Sequence, residues 1–147
     1  MMKRFNIVMV YDKNFKKILF CKRRKPPYAG KLNLPGGKWE EGETPLEAAY
    51  RELEEETGIK KDSITPLYHM IDFSYYNTNN LVEFYVCRLT EDVNLIEEPG
   101  GNKLVWIEID GTDFGDDSIF AGDGNIHHCF LIAERNRKLI EAQSGGR

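Results

Sequence analysis

No stretch of this sequence approaches the run of about 20 apolar residues that a membrane-spanning helix needs. The opening segment, Met1 to Tyr11, has two cations and then an apolar run. That run is broken at Asp12 and lacks a small-residue cleavage site, so it reads as a strand rather than a signal peptide. Cysteine is scarce: Cys21, Cys87 and Cys129 are odd in number, far apart, and form no CxxC. This pattern argues against a zinc knuckle and against a disulfide framework. Buried reduced thiols in a cytoplasmic protein are the simpler reading. An excess of positive charge is also missing. Lys and Arg number 20 against 24 Asp and Glu, for a formal net charge of -4. Long nucleic acid is therefore not the expected ligand. A small phosphorylated ligand stays open, because local cations and metal can outweigh net charge. No internal repeat or long low-complexity segment divides the 147 residues. The expectation is one domain over residues 1–143 with a flexible tail at 144–147.

Local patterns give the elements. Phe5 to Tyr11 and Lys17 to Arg23 are short apolar-rich runs, and the turn-like Asp12 to Phe15 between them predicts a hairpin. Two prolines and a glycine make Lys25 to Gly30 a loop. Leu34-Pro35-Gly36-Gly37 is a short extended piece. Thr44, with Pro45 next and Glu47 three residues on, has the pattern of a capping box. The helix it opens should run to about Thr57, where Gly58 ends it. Ile64 to Tyr75, Leu81 to Leu89 and Leu104 to Ile109 are strand-like. Asp110 to Asn125 is a long acidic loop, and Ile126 to Gln143 reads as one terminal helix. Strands around a central and a terminal helix make the class α/β with a mixed β-sheet.

The central helix carries the chemistry. At roughly 100° per residue, Leu46, Ala49, Tyr50 and Leu53 gather on one side. Arg51, Glu52, Glu55 and Glu56 gather on the other, with Ala48 among them. Glutamates at i,i+3 and i,i+4 spacing repel by a few tenths of a kcal/mol per pair. Glu47 and Arg51 form a favourable pair but leave the cluster charged. Alone, such a cluster is an ordinary solvated helix face. A hard dication would neutralise it. Gly36-Gly37 just upstream lets the backbone turn sharply and approach a ligand, and the Gly37 carbonyl can face the same metal.

The stretch Gly37 to Ile59, GKWEEGETPLEAAYRELEEETGI, resembles the Nudix box, the signature of a large hydrolase family. Gly37, Glu43, Arg51, Glu52, Leu53, Glu55, Glu56, Gly58 and Ile59 match at intact spacing. Many fixed positions at fixed separations make the match highly specific. The resemblance implies a mixed sheet sandwiched between α-helices. It implies that Glu52, Glu55 and Glu56, helped by the Gly37 carbonyl, hold Mg2+ or Mn2+. Arg51 would orient Glu52 by charge-assisted hydrogen bonds, and Glu43 would brace the turn into the helix. The reaction implied is in-line attack of an activated water on phosphorus. Family members often add an acidic residue after the box as base or extra ligand. Glu98, Glu97 and the strand residue Glu83 are the candidates, each equally readable as a solvent-facing acid.

Gly30 to Lys38 is similar to MutT-type nucleoside triphosphate pyrophosphohydrolases, which cleave oxidised purine triphosphates such as 8-oxo-dGTP to the monophosphate and pyrophosphate. That resemblance puts Asn33 against the base and pairs it with a loop aspartate, Asp123 first, with Asp116 and Asp117 behind it. An Asn amide offers both donor and acceptor to a purine edge, yet Asn33 can equally shape a turn. Arg23 can meet phosphates and Tyr28 can stack on a base, or both can be surface or core residues. His127 and His128 diverge by roughly 100° on a helix and cannot chelate one metal together. His69 reads as structural. The expected partner is a small nucleotide, with no long nucleic acid and no membrane. Two alternatives stand. One is hydrolysis of ADP-ribose or another nucleoside diphosphate derivative, for which the chain is short and lacks the extra N-terminal region common in dimeric members. The other is a non-catalytic nucleotide sensor, against which the complete glutamate set speaks.

Overall fold

Thr44 starts the central helix by the means its sequence announces. The computed structural model describes residues 2–26, 28–122 and 124–145, with side chains as far as Glu141. In it Thr44 Oγ1 accepts the Glu47 N–H at 3.1 Å, and Glu47 Oε1 accepts the Thr44 N–H at 2.7 Å. Two otherwise unpaired donors are thus satisfied reciprocally. Helix α1 runs Pro45–Thr57 and closes on Gly58, whose φ of +78° suits a residue without Cβ. Because Glu47 is spent on the cap, the pairing expected between it and Arg51 is not what the structure shows; Arg51 turns to other carboxylates.

Seven strands form one mixed sheet: β1 (Lys3–Tyr11), β2 (Lys17–Lys22), β3 (Leu32–Asn33), β4 (Gly36–Lys38), β5 (Tyr68–Tyr75), β6 (Asn80–Arg88) and β7 (Lys103–Glu108). β1 is central. On one side it runs parallel to β6, from Lys3↔Asn80 to Tyr11↔Arg88. Its other edge is shared: antiparallel β4 takes the first part, with Asn6 opposite Gly37, and β2 takes the end, at Tyr11↔Ile18. The expected β1–β2 hairpin therefore closes only near its turn, where Asp12 Oδ1 accepts the Lys16 and Lys17 N–H groups. The main partner of β2 is β7, from Lys17↔Glu108 to Lys22↔Lys103.

Alternation along β1 builds a core on each face. Val8 and Val10 join Leu19, Tyr85 and Cys87 under Ala49 and Leu53 of α1. Met9 and Tyr11 join Phe20, Phe84 and Val86 under α2 (Asn125–Arg135) and α3 (Arg137–Gly145), which contribute Ile126, Cys129, Ala133 and Ile140. The sheet is sandwiched between helices, as the class required.

Three local readings are corrected. Ala48, placed among the charges by the wheel, is fully buried, and Leu46 is 44% exposed. A wheel gives direction around an axis but not depth along it, and Leu46 lies in the first turn. The strand read from Ile64 begins only at Tyr68. Pro66 has no N–H to give a ladder, so Ile64 makes only an isolated bridge to Leu89 before it. The terminal helix is two helices, broken at Asn136, whose Nδ2 donates to the Ile132 carbonyl at 2.7 Å. An Asn side chain competes for backbone acceptors in this way. The acidic loop after β7 is pinned by Phe114 and Phe120, which pack on Phe20. Leu32 N–H donates to the Ile119 carbonyl and Ala121 N–H to the Leu32 carbonyl, both at 2.8 Å, which ties the loop to β3.

Candidate active site

Arg51 is the hub of the charged face of α1. Its Nε and Nη2 meet the two Glu43 oxygens at 2.9 and 2.7 Å. Nη1 donates to Glu52 at 2.7 Å and to Glu55 at 3.2 Å, and Nη2 donates to the Lys38 carbonyl at 3.1 Å. Glu40 lies 3.4 Å away. One guanidinium thus faces the carboxylates of Glu40, Glu43, Glu52 and Glu55. The Glu43 hydrogen bond raises the Arg51 pKa further and lowers that of Glu43. Glu43 also accepts the Glu40 N–H at 3.0 Å, at the approach to the helix.

Glu56 points the other way, into the sheet. Its Oε1 accepts the Gly36 N–H at 2.9 Å and its Oε2 the Asn102 Nδ2–H at 3.3 Å. Burial pushes the Glu56 carboxyl above the usual glutamate range, and the charge of Glu98 pushes in the same direction. Glu52 is raised by burial too, with Arg51 opposing and Glu55 and Glu56 adding. Gly37 sits directly against Glu52: a Cβ built on it would stand 2.1 Å from Glu52 Oε2. Its N–H donates to Asn6 Oδ1 at 3.2 Å. Arg51 alone faces the carboxylates of Glu40, Glu43, Glu52 and Glu55, which leaves negative charge on that face of α1. Glu52 and Glu55 meet at Arg51 while Glu56 faces Gly36 and Asn102; carboxylate oxygens of this kind are the hard donors a divalent cation takes.

A cavity of about 240 Å³ opens where β4 and β2 share the edge of β1. Its polar wall includes Asn6, Arg23, Asn33, Gly37, Glu56 and Asn102, and Phe5, Ile7, Leu34 and Val82 form apolar surface. Box residues and the expected base reader thus border one space. Asn33 Oδ1 also accepts the Leu34 N–H at 2.8 Å, so Asn33 both shapes the turn and lines the cavity. Tyr28, at φ +68° with Lys31 Nζ 6.0 Å from its ring, lies outside the lining. Asp123 lies outside the described residues. Behind it in the expected order, Asp116 accepts from the N–H and Oγ of its own neighbour Ser118, and Asp117 is exposed.

The three candidates for an acid beyond the box separate. Glu97 Oε2 holds the Leu104 N–H at 2.9 Å, at the start of β7. Glu83 is 4% exposed and paired with Arg4 at 2.8 Å. Glu98 is exposed, and its charge is felt at Glu56. Glu83 belongs to a second group, with His69 and Asp72, whose ligand-type atoms lie within 4.8 Å of one another. That group is on β5 and β6 and shares no residue with the box; Arg4 already supplies it a positive charge. His69 stacks on Tyr85, His128 meets the edge of Phe73, and His127 lies beside Gly115.

Sequence reasoning missed Asn6, Cys21 and Asn102. Asn6 had a signal: a polar residue inside an apolar strand, here 2% exposed and bound to Gly37. Cys21 donates to the Asn33 carbonyl at 3.3 Å and borders Glu56; burial and Glu56 push its thiol up to about 12. Asn102 follows two glycines in a loop and carries no local signal.

Fold and site together define a class: an α/β sandwich whose central helix carries a row of carboxylates, one of which, Glu56, borders a polar cavity together with a close-packed glycine turn. Comparison with known proteins agrees. A family model described as NUDIX domain matches residues 2–136. The chain is 30% identical over 117 residues to the 8-oxo-dGTP diphosphatase of Escherichia coli K12, covering 78% of this chain and 88% of that protein. It is 54% identical over 43 residues to the ADP-ribose pyrophosphatase of Methanocaldococcus jannaschii, covering 29% and 25%. In fold it resembles the crystal structure of a NUDIX hydrolase from Nitrosomonas europaea, with TM-score 0.73 and 22% identity over 94% of this chain and 73% of that one. The chain belongs to the Nudix family of hydrolases, which act on phosphorus-containing anhydrides. Among the described residues no helix is long and apolar enough to cross a membrane.

Proposed function

We propose that this protein hydrolyses a purine nucleoside triphosphate, an oxidised one such as 8-oxo-dGTP by preference, to the monophosphate and pyrophosphate. The observation that carries the reading is that one cavity is bordered both by Gly37 and Glu56 of the box and by Asn33. We read residues 1–143 as one catalytic domain.

Glu52, Glu55 and Glu56, with the Gly37 carbonyl, would hold Mg2+ or Mn2+. When bound, the dication supplies charge neutralisation on phosphate oxygens and makes a water more acidic. Arg51 holds Glu52 and Glu55 in place, and Glu43 holds Arg51. Glu98 takes the proton of the attacking water, whose oxygen adds to phosphorus as the bridging bond breaks and pyrophosphate leaves. Arg23, on the cavity wall, pairs with phosphate oxygens. Asn33 and Asp123 read the base.

A panel of canonical and oxidised triphosphates and sugar-linked diphosphates tests this. An oxidised purine triphosphate should give the highest kcat/KM. A higher value for ADP-ribose would replace the reading with hydrolysis of a nucleoside diphosphate derivative, the activity named for the Methanocaldococcus jannaschii relative matched over 43 residues.

A further inference from the structure

One side chain connects the loop before β7 to the box helix. Asn102 Nδ2 donates to Glu56 Oε2 at 3.3 Å, while Asn102 Oδ1 accepts the Arg24 main-chain N–H at 3.1 Å. The second contact fixes the first. An amide oxygen that faces an N–H leaves its NH2 group turned to the carboxylate, so the two ends cannot be exchanged. The other Glu56 oxygen is held by the Gly36 N–H at 2.9 Å. A carboxylate met by a donor on each oxygen has one orientation. Without Asn102 the carboxylate keeps the Gly36 N–H and the weak Cys21 thiol donor, and it is freer to swing about its terminal torsion, which is broad by nature. Arg24 also belongs to the β2–β3 connection, next to the cavity-lining Arg23. The Asn102 amide therefore joins the wall of the nucleotide cavity to a glutamate of the box.

We propose that Asn102 is a positioning residue, which fixes the Glu56 carboxylate for the divalent cation and couples it to the β2–β3 loop. The proposal rests on the reading of Glu56 as a cation ligand. An asparagine suits the place because it offers a donor to the carboxylate and an acceptor to the N–H at once. An aspartate would set a like charge against Glu56.

The test is Mn2+ binding to the substrate-free protein, read from the electron paramagnetic resonance of free Mn2+, for wild type, Asn102→Ala and Glu56→Gln. Asn102→Ala should weaken Mn2+ binding by about tenfold, as the loss of one hydrogen bond to a charged group does. It should lower kcat on the best substrate of the panel while KM stays within about twofold of wild type. Glu56→Gln should weaken Mn2+ binding at least as much. Unchanged Mn2+ affinity in Asn102→Ala, with the loss seen in Glu56→Gln, overturns the positioning role and leaves the site reading intact. Unchanged affinity in both overturns the cation reading of Glu56 itself. An effect of Asn102→Ala confined to KM places Asn102 in nucleotide binding and also overturns the proposal. If Asn102→Ala does not fold, Asn102→Ser carries the same expectations.

Discussion

Arg51 grips Glu43 with two nitrogens, at 2.9 and 2.7 Å, across eight residues of chain. The remaining guanidinium nitrogen is thereby aimed at Glu52 and Glu55. The planar fork of arginine matches a carboxylate in a way an ammonium cannot. Arg51→Lys should therefore keep the charge but lose the geometry, lowering kcat by about 10- to 100-fold, the equivalent of one or two charge-assisted bonds. Steady-state kinetics check this, and a wild-type kcat would show that charge alone suffices. The same contact lowers the Glu43 pKa, so its contribution to stability is present above the ordinary glutamate value and is lost as pH falls through the lowered one.

The adjacent glycines should fail differently. A Cβ on Gly36 would stand 2.0 Å from the Asn6 carbonyl oxygen, which is backbone and cannot yield. A Cβ on Gly37 would strike the end of the Glu52 side chain, which can move. Gly36→Ala should lower the melting temperature clearly. Gly37→Ala should keep the fold and lose most turnover. Thermal melts and kinetics on both variants separate the two effects; equal loss of stability in both would contradict the packing argument.

Metal and pH should be linked at Glu52 and Glu56. Both are raised above the ordinary glutamate value, Glu52 by burial and its neighbours Glu55 and Glu56, Glu56 by burial and Glu98. Between the ordinary and raised values the folded state binds more protons than the unfolded one. The contribution of these groups to stability therefore falls as pH rises through that window. Above it both are ionised and a dication relieves them. Mg2+ should raise the melting temperature more at about pH 8 than at about pH 5. Equal increments at the two pH values would contradict this.

Asn33 should govern choice among bases rather than the rate at phosphorus. It lines the cavity from β3 rather than from α1. Leaving a buried polar partner unpaired costs about 1–3 kcal/mol. Asn33→Ala should cut the kcat/KM ratio of an oxidised purine over a pyrimidine triphosphate by about 5- to 150-fold. A ratio that does not move assigns Asn33 to the turn alone, where its Oδ1 holds the Leu34 N–H.

The fold was legible where chemistry is local. Thr44, Pro45, Glu47 and Gly58 mark α1 because capping and helix termination depend on neighbours in sequence. The charged face was legible too, since Arg51, Glu52, Glu55 and Glu56 lie on one helix. What could not be read was set by distant partners. The division of the β1 edge between β4 and β2, which opens the cavity, follows from sheet pairing. Asn102 meets Glu56 from 46 positions away, so no window of sequence contains both. The break at Asn136 turned on one side chain finding a carbonyl four residues back, within an otherwise helical pattern.

The central claim is that metal held by the box drives hydrolysis of a triphosphate to pyrophosphate. Phosphorus-31 NMR of the purified protein with 8-oxo-dGTP and Mg2+ tests it most directly. The account predicts growing signals of a nucleoside monophosphate and pyrophosphate, abolished by a chelator, restored by Mg2+ or Mn2+, and reduced by orders of magnitude in Glu55→Gln and Glu56→Gln. Undiminished turnover in the chelator, near wild-type rates in both variants, or orthophosphate without pyrophosphate would contradict it.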